Sequence, residues 1–202
     1  MKTVILTGPI GSGKSAVSAL LAKRGIPVYD SDARTKRLYD ICPGLVTELE
    51  SALGIPLRTT EGKLDRTRLA SVIFADDTAR ETLESIVYPA VLKDFVAWRD
   101  AQEAPFVVLE SAVILSKPVF DGIADAVVLV TAPKELRISR VMARDGAPEA
   151  DILRRMDAQE VQEDKADVVI VNSGTANKLK AAVDRSFFGK NSYICKLLKQ
   201  AE

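Results

Sequence analysis

Short apolar runs alternate with longer stretches of mixed polarity along the chain. Lys2–Thr7 (KTVILT) reads as a buried strand, and Phe106–Leu109 and Ala126–Val130 are continuous apolar runs of the kind found in strands covered on both faces. Ile26–Tyr29 makes a short second strand. Asp167–Val171 (DVVIV) makes a last one, closed by the turn signal Asn172-Ser173-Gly174. Between them the period changes to that of helices: Lys14–Arg24, with Ala16, Val17, Leu20 and Leu21 on one face, then Leu136–Arg144 and Glu149–Gln162. Strands separated by helices predict an α/β fold with a parallel, doubly wound sheet and right-handed crossovers.

The middle of the chain departs from this rhythm. From Asp65 to Gln102 the pattern is helical with no strand, and Pro89 is expected to end or kink a helix near Tyr88. An all-helical excursion inside an α/β pattern reads as an inserted subdomain able to close over a ligand. The last stretch, Ser186–Glu202, is basic and aromatic and carries no clear assignment.

Composition narrows the functional classes. With 202 residues, 47% of them apolar, the chain fits one domain with insertions and can bury a sizeable core. Lys and Arg (28) balance Asp and Glu (28), which argues against nucleic acid or an anionic membrane as main partner. No apolar run approaches the roughly 20 residues that span a bilayer, and the N-terminal segment passes into a glycine loop without a cleavage site, so it reads as a strand. Cys42 and Cys195 have no metal-ligand spacing and read as reduced thiols of a cytoplasmic protein. The absence of histidine removes His-based triads, His-ligated zinc and imidazole acid–base chemistry.

Gly8-Pro9-Ile10-Gly11-Ser12-Gly13-Lys14-Ser15 fits G-x-x-x-x-G-K-[ST] at every fixed position, behind a predicted strand and ahead of a predicted helix. Glycines let backbone N–H groups turn inward as an anion nest, and the helix N-terminus adds its dipole. Lys14 then reaches the β- and γ-phosphates of a nucleotide and Ser15 ligates Mg²⁺.

The destination of the phosphate is less direct. A guanine-reading N-K-x-D is missing, and so is a clear Walker B strand ending in Asp; Glu110, at the end of FVVLE, reads as a strand-end residue near the site. Asp30-Ser31-Asp32 lies at the carboxyl end of the second strand, where side chains of a parallel sheet face the phosphate crevice. A carboxylate there suits proton acceptance from an attacking hydroxyl, whereas Ser31 or Asp32 also suits a helix N-cap, and the two roles divide readily between Asp30 and Asp32. Arg137, Arg140 and Arg144 fall at i, i+3 and i+7, along one helical face. That face is either solvated or the inner surface of a mobile lid, continued by Arg154 and Arg155, whose guanidiniums neutralise a transferring phosphoryl group.

Together these segments resemble the dephospho-coenzyme A kinase family. The resemblance runs from Val4 to about Gly174 and is carried by LTGPIGSGKS, GIPVYDSDARTKRL, the L-D-R-x-x-L-A-x-x-I-F-A segment from Leu64, ETLESIVYPAV, FVVLESAVIL, VVLVTAPKELRISRVMARD and KADVVIVNSG. It implies a P-loop nucleotide kinase fold with a helical CoA-binding insertion over about 60–103 and a lid over about 137–156. The implied reaction is transfer of the γ-phosphoryl of ATP, with Mg²⁺, to the 3′-hydroxyl of dephospho-CoA, the last step of coenzyme A synthesis. By the same resemblance ATP lies on Gly11, Ser12, Gly13, Lys14, Ser15 and Ala16, Asp32 is the catalytic base at the substrate, and Arg140 and Arg144 act with Lys14 on the phosphates. Arg66 stands open between a substrate contact and an exposed helix-start arginine, and Asn172 between an adenine seat and a simple turn residue. The expected enzyme is a cytoplasmic monomer acting on small molecules, without nucleic acid or membrane.

Three positions depart from the family pattern. Pro9 stands where the family has Gly, fixing one φ and removing one loop N–H, with tuned affinity as the expected effect. Tyr88 stands where the family commonly has histidine and is expected to pack in the core. The tail SFFGKNSYICKLLKQAE runs past the matched region, its two phenylalanines docking a final helix. Two rivals are another P-loop kinase, for a nucleoside monophosphate or a small sugar acid, and a non-catalytic ATP-binding regulator.

Overall fold

The computed structural model describes residues 1–159 and 162–200. The helix expected over 149–162 ends at Asp157, and its positions 160–161, like 201–202 of the tail expected over 186–202, lie outside the described residues. The chain forms two compact units, Met1–Asp30 with Arg99–Glu202, and Ser31–Trp98.

The first unit is built on strands β1 (Lys2–Thr7), β2 (Val28–Asp30), β3 (Phe106–Glu110), β4 (Ala126–Thr131) and β5 (Val168–Val171). They form a parallel sheet in the order β2-β3-β1-β4-β5 among the described residues, the predicted doubly wound arrangement. The continuous apolar runs of β1, β3 and β4 are buried almost throughout because helices cover both faces. β2 starts at Val28 rather than at Ile26. Pro27 has no N–H to donate, and its carbonyl instead accepts from Val108 N at 2.9 Å.

Two aspartates complete the amino ends of the strands. Asp125 accepts from Thr3 N at 2.7 Å and from Lys2 Nζ at 2.8 Å, and Asp167 accepts from Val127 N at 2.8 Å. Side-chain oxygens thus take up strand N–H groups where the ladder ends. The Tyr193 phenol donates to Asp167, which raises its pKa.

This unit also carries α1 (Lys14–Ala22), α6 (Lys134–Asp145), α7 (Glu149–Asp157), α8 (Ala176–Val183) and α9 (Tyr193–Lys199), here numbered by their place in the whole chain. The tail docks on the sheet, as its phenylalanines suggest. A π-turn over Asp184–Phe188 buries Phe187, whose ring stacks on Phe106 with centroids 6.2 Å apart, and Ile194 of α9 enters the same core beside Val4 and Val128. Each such side chain contributes about 1.5–3 kcal/mol on leaving water.

The second unit is helical: α2 (Ser31–Ile41), α3 (Pro43–Leu53), α4 (Arg66–Ala75) and α5 (Asp77–Asp100), the last running on by two residues into the first unit. Asp65 caps α4 by accepting from Arg68 N at 2.9 Å. Arg34 of α2 forks onto Asp94 of α5 at 3.0 and 3.1 Å. The helix expected to stop or bend near Tyr88 does not stop there, since Pro89 lies inside α5. An interior proline costs about 3 kcal/mol, and the burial of Val87, Val91 and Phe95 along one face of α5 offsets it. Among the described residues no helix is long and apolar enough to cross a membrane.

Candidate active site

The glycine loop joins β1 to α1 at the carboxyl end of the sheet, as predicted. Ser12 N donates to Pro9 O at 3.1 Å, closing a turn that makes use of the proline carbonyl and has no need of its missing N–H. Gly13 takes the left-handed conformation (φ 98°) immediately before Lys14 opens α1, so the first N–H groups of α1 are presented to the loop. Three glycines are also required by close approach, Gly8 because a Cβ would lie 2.1 Å from Val130 O. A Cβ on Gly11 would lie 2.5 Å from Arg137 O, and one on Gly13 would lie 2.2 Å from Asn172 Nδ2. Lys14 Nζ donates to Gly8 O at 2.8 Å.

Glu110 is the residue that motif reading undervalued. It ends β3, with Leu6 of β1 in register on one side and Asp30 of β2 on the other. Only 8% exposed, it accepts from Ser15 Oγ at 3.1 Å and from Ser18 Oγ. A carboxylate buried to this degree is rare without partners, and here two hydroxyls of α1 supply them. A hydroxyl that donates its proton to a carboxylate turns its lone pairs outward, which prepares Ser15 for a cation. The signal was present in FVVLE, an apolar strand with one acid at its carboxyl end.

Asn172 follows β5 and is buried. Its Nδ2 donates to Ser12 O at 2.9 Å, and its two oxygens accept from Arg140 Nη2 at 3.0 Å (backbone) and 3.3 Å (side chain). Arg140 Nη1 lies 3.4 Å from both Gly11 O and Ser12 O. The structure therefore brings Gly11, Ser12, Gly13, Lys14, Ser15, Arg140 and Asn172 together, with the asparagine amide turned on the loop. Ala16 is exposed on the first turn of α1.

The three arginines of α6 do not share one environment. Arg137 and Arg140 are half-buried, whereas Arg144 is exposed and forks onto its neighbour Asp145 at 2.6 and 2.9 Å. Those hydrogen bonds, joined by one from Arg155, hold the Asp145 carboxyl well below the usual carboxylate range. Burial of Val141, Ile152 and Met156 joins α6 to α7, and Ile10 of the glycine loop packs on that cluster. Gln159, which sequence reading passed over, accepts from Ile10 N through Oε1 at 2.7 Å.

In the helical unit, Asp32 is exposed in the first turn of α2, where a carboxylate complements the helix dipole. It is the second residue of that helix. Arg66 opens α4 and donates to Lys36 O at 3.0 Å and to Asp40 at 3.2 and 3.3 Å. Tyr88, expected in the core, is half-buried and hydrogen-bonds Glu84. Burial pushes its phenol well above the ordinary range, and the charge of Glu84, which takes its hydrogen bond, adds to this together with the charge of Asp32. Burial likewise pushes Tyr39 up to about 12, against an opposing pull from Arg66.

The dephospho-CoA kinase family model matches residues 2–178 of the chain. A dephospho-CoA kinase of Porphyromonas gingivalis is 42% identical over 166 residues, covering 82% of this chain and 81% of its own. One of Thermobifida fusca is 36% identical over 189 residues, covering 91% and 93%. Among solved structures, a Thermus thermophilus protein at 35% identity superposes with a TM-score of 0.78 over 91% of this chain and 94% of its own.

Proposed function

The chain belongs to the dephospho-CoA kinase family, an enzyme family of ATP-dependent phosphotransferases that act on dephospho-CoA in coenzyme A biosynthesis, and we propose that this chain phosphorylates the 3′-hydroxyl of the ribose. The observation that carries the reading is the phosphate loop with Ser15 set on Glu110. ATP binds with its phosphates on the loop residues from Gly11 to Ala16, with Lys14 among them. The acceptor hydroxyl attacks the γ-phosphorus, the bond from that phosphorus to the ADP oxygen breaks, and the hydroxyl proton passes to Asp32.

The chemistry of the donors fits a magnesium ion, which takes oxygen ligands and keeps several of its waters. Ser15 would hold it through the hydroxyl, with Glu110 behind, and the ion would neutralise phosphate charge. Among the described residues no group of three acidic or cysteine side chains forms a cage of its own. Arg140 and Arg144 of the α6–α7 lid add positive charge, Arg140 from its place on the loop backbone and Arg144 by exchanging Asp145 for a phosphate oxygen. The helical insertion supplies the dephospho-CoA contacts, Arg66 among them. The same reading has the enzyme act as a monomer in the cytoplasm, and light scattering that gives the mass of two chains would overturn the monomer.

ADP release with Mg·ATP and a panel of acceptors tests the function: dephospho-CoA, AMP, CMP, gluconate, shikimate and none. Turnover with dephospho-CoA alone is expected. Turnover only with another acceptor would keep the phosphoryl transfer and reject the acceptor, and ATP binding without turnover on any of them would favour a regulator.

A further inference from the structure

The backbone of the phosphate loop is gripped from behind at several points. The carbonyls of Gly11 and Ser12 face Arg140 at 3.4 Å, and Ser12 O also receives Asn172 Nδ2. The Arg137 carbonyl lies so near Gly11 that a side chain there would collide with it. On the other half of the loop, Ile10 packs its side chain on Val141, Ile152 and Met156, and gives its N–H to Gln159 Oε1 at 2.7 Å. One residue is thus held by both side chain and backbone, the side chain by the α6–α7 hairpin and the backbone by Gln159, two residues past the end of α7.

We propose that Gln159 is a positioning residue for nucleotide binding: its side-chain oxygen, on the Ile10 N–H, fixes the first half of the phosphate loop against the hairpin. A glycine-rich loop loses more backbone freedom than other segments when it is ordered. If that ordering happened only as ATP arrived, it would weaken binding; a loop ordered beforehand avoids the loss. Gln159 and Arg140 act on opposite poles of different peptides of the loop, Gln159 accepting the Ile10 N–H and Arg140 facing the carbonyls of Gly11 and Ser12. With those poles occupied, rotation of the peptide planes is hindered, and the Gly13 N–H, on the peptide whose Ser12 carbonyl Arg140 and Asn172 hold, stays available to the phosphates. The Ile10 N–H is withdrawn from the anion-binding set. The hairpin is therefore fastened to the loop at Arg140 and through Ile10.

The proposal rests on the reading that ATP binds this loop, so its test includes a measurement without nucleotide. In the full wild-type chain, free of nucleotide, the Ile10 amide should exchange slowly with deuterium despite lying in a loop. In Gln159→Leu, exchange should speed up, and ATP affinity by calorimetry should fall about tenfold, the effect of one lost hydrogen bond. The KM for ATP should rise in step, with kcat lowered by less than about threefold, because uniform binding is what is lost. Gln159→Glu retains the acceptor and should retain slow exchange. Fast exchange at Ile10 in the wild type, or no difference in Gln159→Leu, would overturn the proposal. So would tighter ATP binding by Gln159→Leu, which would make Gln159 a competitor of phosphate for the Ile10 N–H. Wild-type protein that shows the exchange pattern but no ATP binding would overturn the nucleotide role, and would locate the failure in the functional reading.

Discussion

Ser15 Oγ and Glu110 Oε1 are 3.1 Å apart, so the hydroxyl assigned to the magnesium ion is oriented by a carboxylate 95 residues further along the chain. Glu110→Gln keeps the shape and one oxygen but removes the charge. We expect the magnesium concentration at half-maximal turnover to rise about 10- to 100-fold, the usual effect of losing the partner that orients a ligand. An unchanged magnesium dependence would reduce Glu110 to a packing role. Ser18→Ala removes only the second hydrogen bond and should give a smaller rise.

Asp32 makes a separate prediction. Asp32→Asn should lower turnover by about 10²–10⁴, the usual range for a general base. Its effect on ATP affinity should be slight, because the proposed function puts the phosphates on the loop and not on Asp32. Wild-type turnover in this variant would leave Asp32 as a first-turn acid of α2 and no more.

The helical unit should become sensitive to alkali. Tyr39, pushed up to about 12 by burial, and Tyr88, pushed up further, keep their protons in the folded chain when an unfolded tyrosine has begun to lose them, at about pH 10. The unfolded state then binds fewer protons, so stability falls as pH rises. This contribution is complete below about pH 10 and is lost as pH climbs through about 12 for Tyr39, and beyond that for Tyr88. Urea midpoints at pH 9 and pH 11 should differ less in Tyr39→Phe than in the wild type. Equal differences would mean that Tyr39 ionises normally.

Phe187, 1% exposed and stacked on Phe106, should be among the most costly side chains to truncate. Phe187→Ala should destabilise the chain by about 3–5 kcal/mol, measured by urea unfolding. A loss below about 1 kcal/mol would mean that the tail does not share the core of the sheet.

The parts of this fold that were legible in the sequence are those with a local pattern. Gly8–Ser15 is readable because each fixed residue answers a backbone or phosphate requirement, and the strands are readable because their apolar runs are unbroken. The helix α3 was missed although Pro43 at its first turn, Leu45, Val46 and Leu49 on its buried face and Gly54 in the left-handed conformation all mark it. Glu110 was undervalued because a motif search asks for Asp, whereas the structure asks only for a buried acceptor within reach of two hydroxyls. Pro89 left an end or a kink open because local propensity alone does not weigh the face that α5 buries, and the structure removes the end. Gln159 had no signal at all. Its partner is 149 residues away, and nothing in the residues around it foretells a bond to Ile10.

The docked tail has a practical corollary for anyone dissecting the protein. A chain cut after Lys178 would retain the phosphate loop, Glu110, Arg140, Gln159 and Asn172, yet it would lack Phe187 and Ile194. The sheet would then present to water the apolar surface that those two side chains now cover, beside Val4, Phe106 and Val128. Such a fragment would keep every residue that the proposed reaction uses and yet be prone to self-association, so the shortest chain with the proposed site and the shortest soluble chain are different objects.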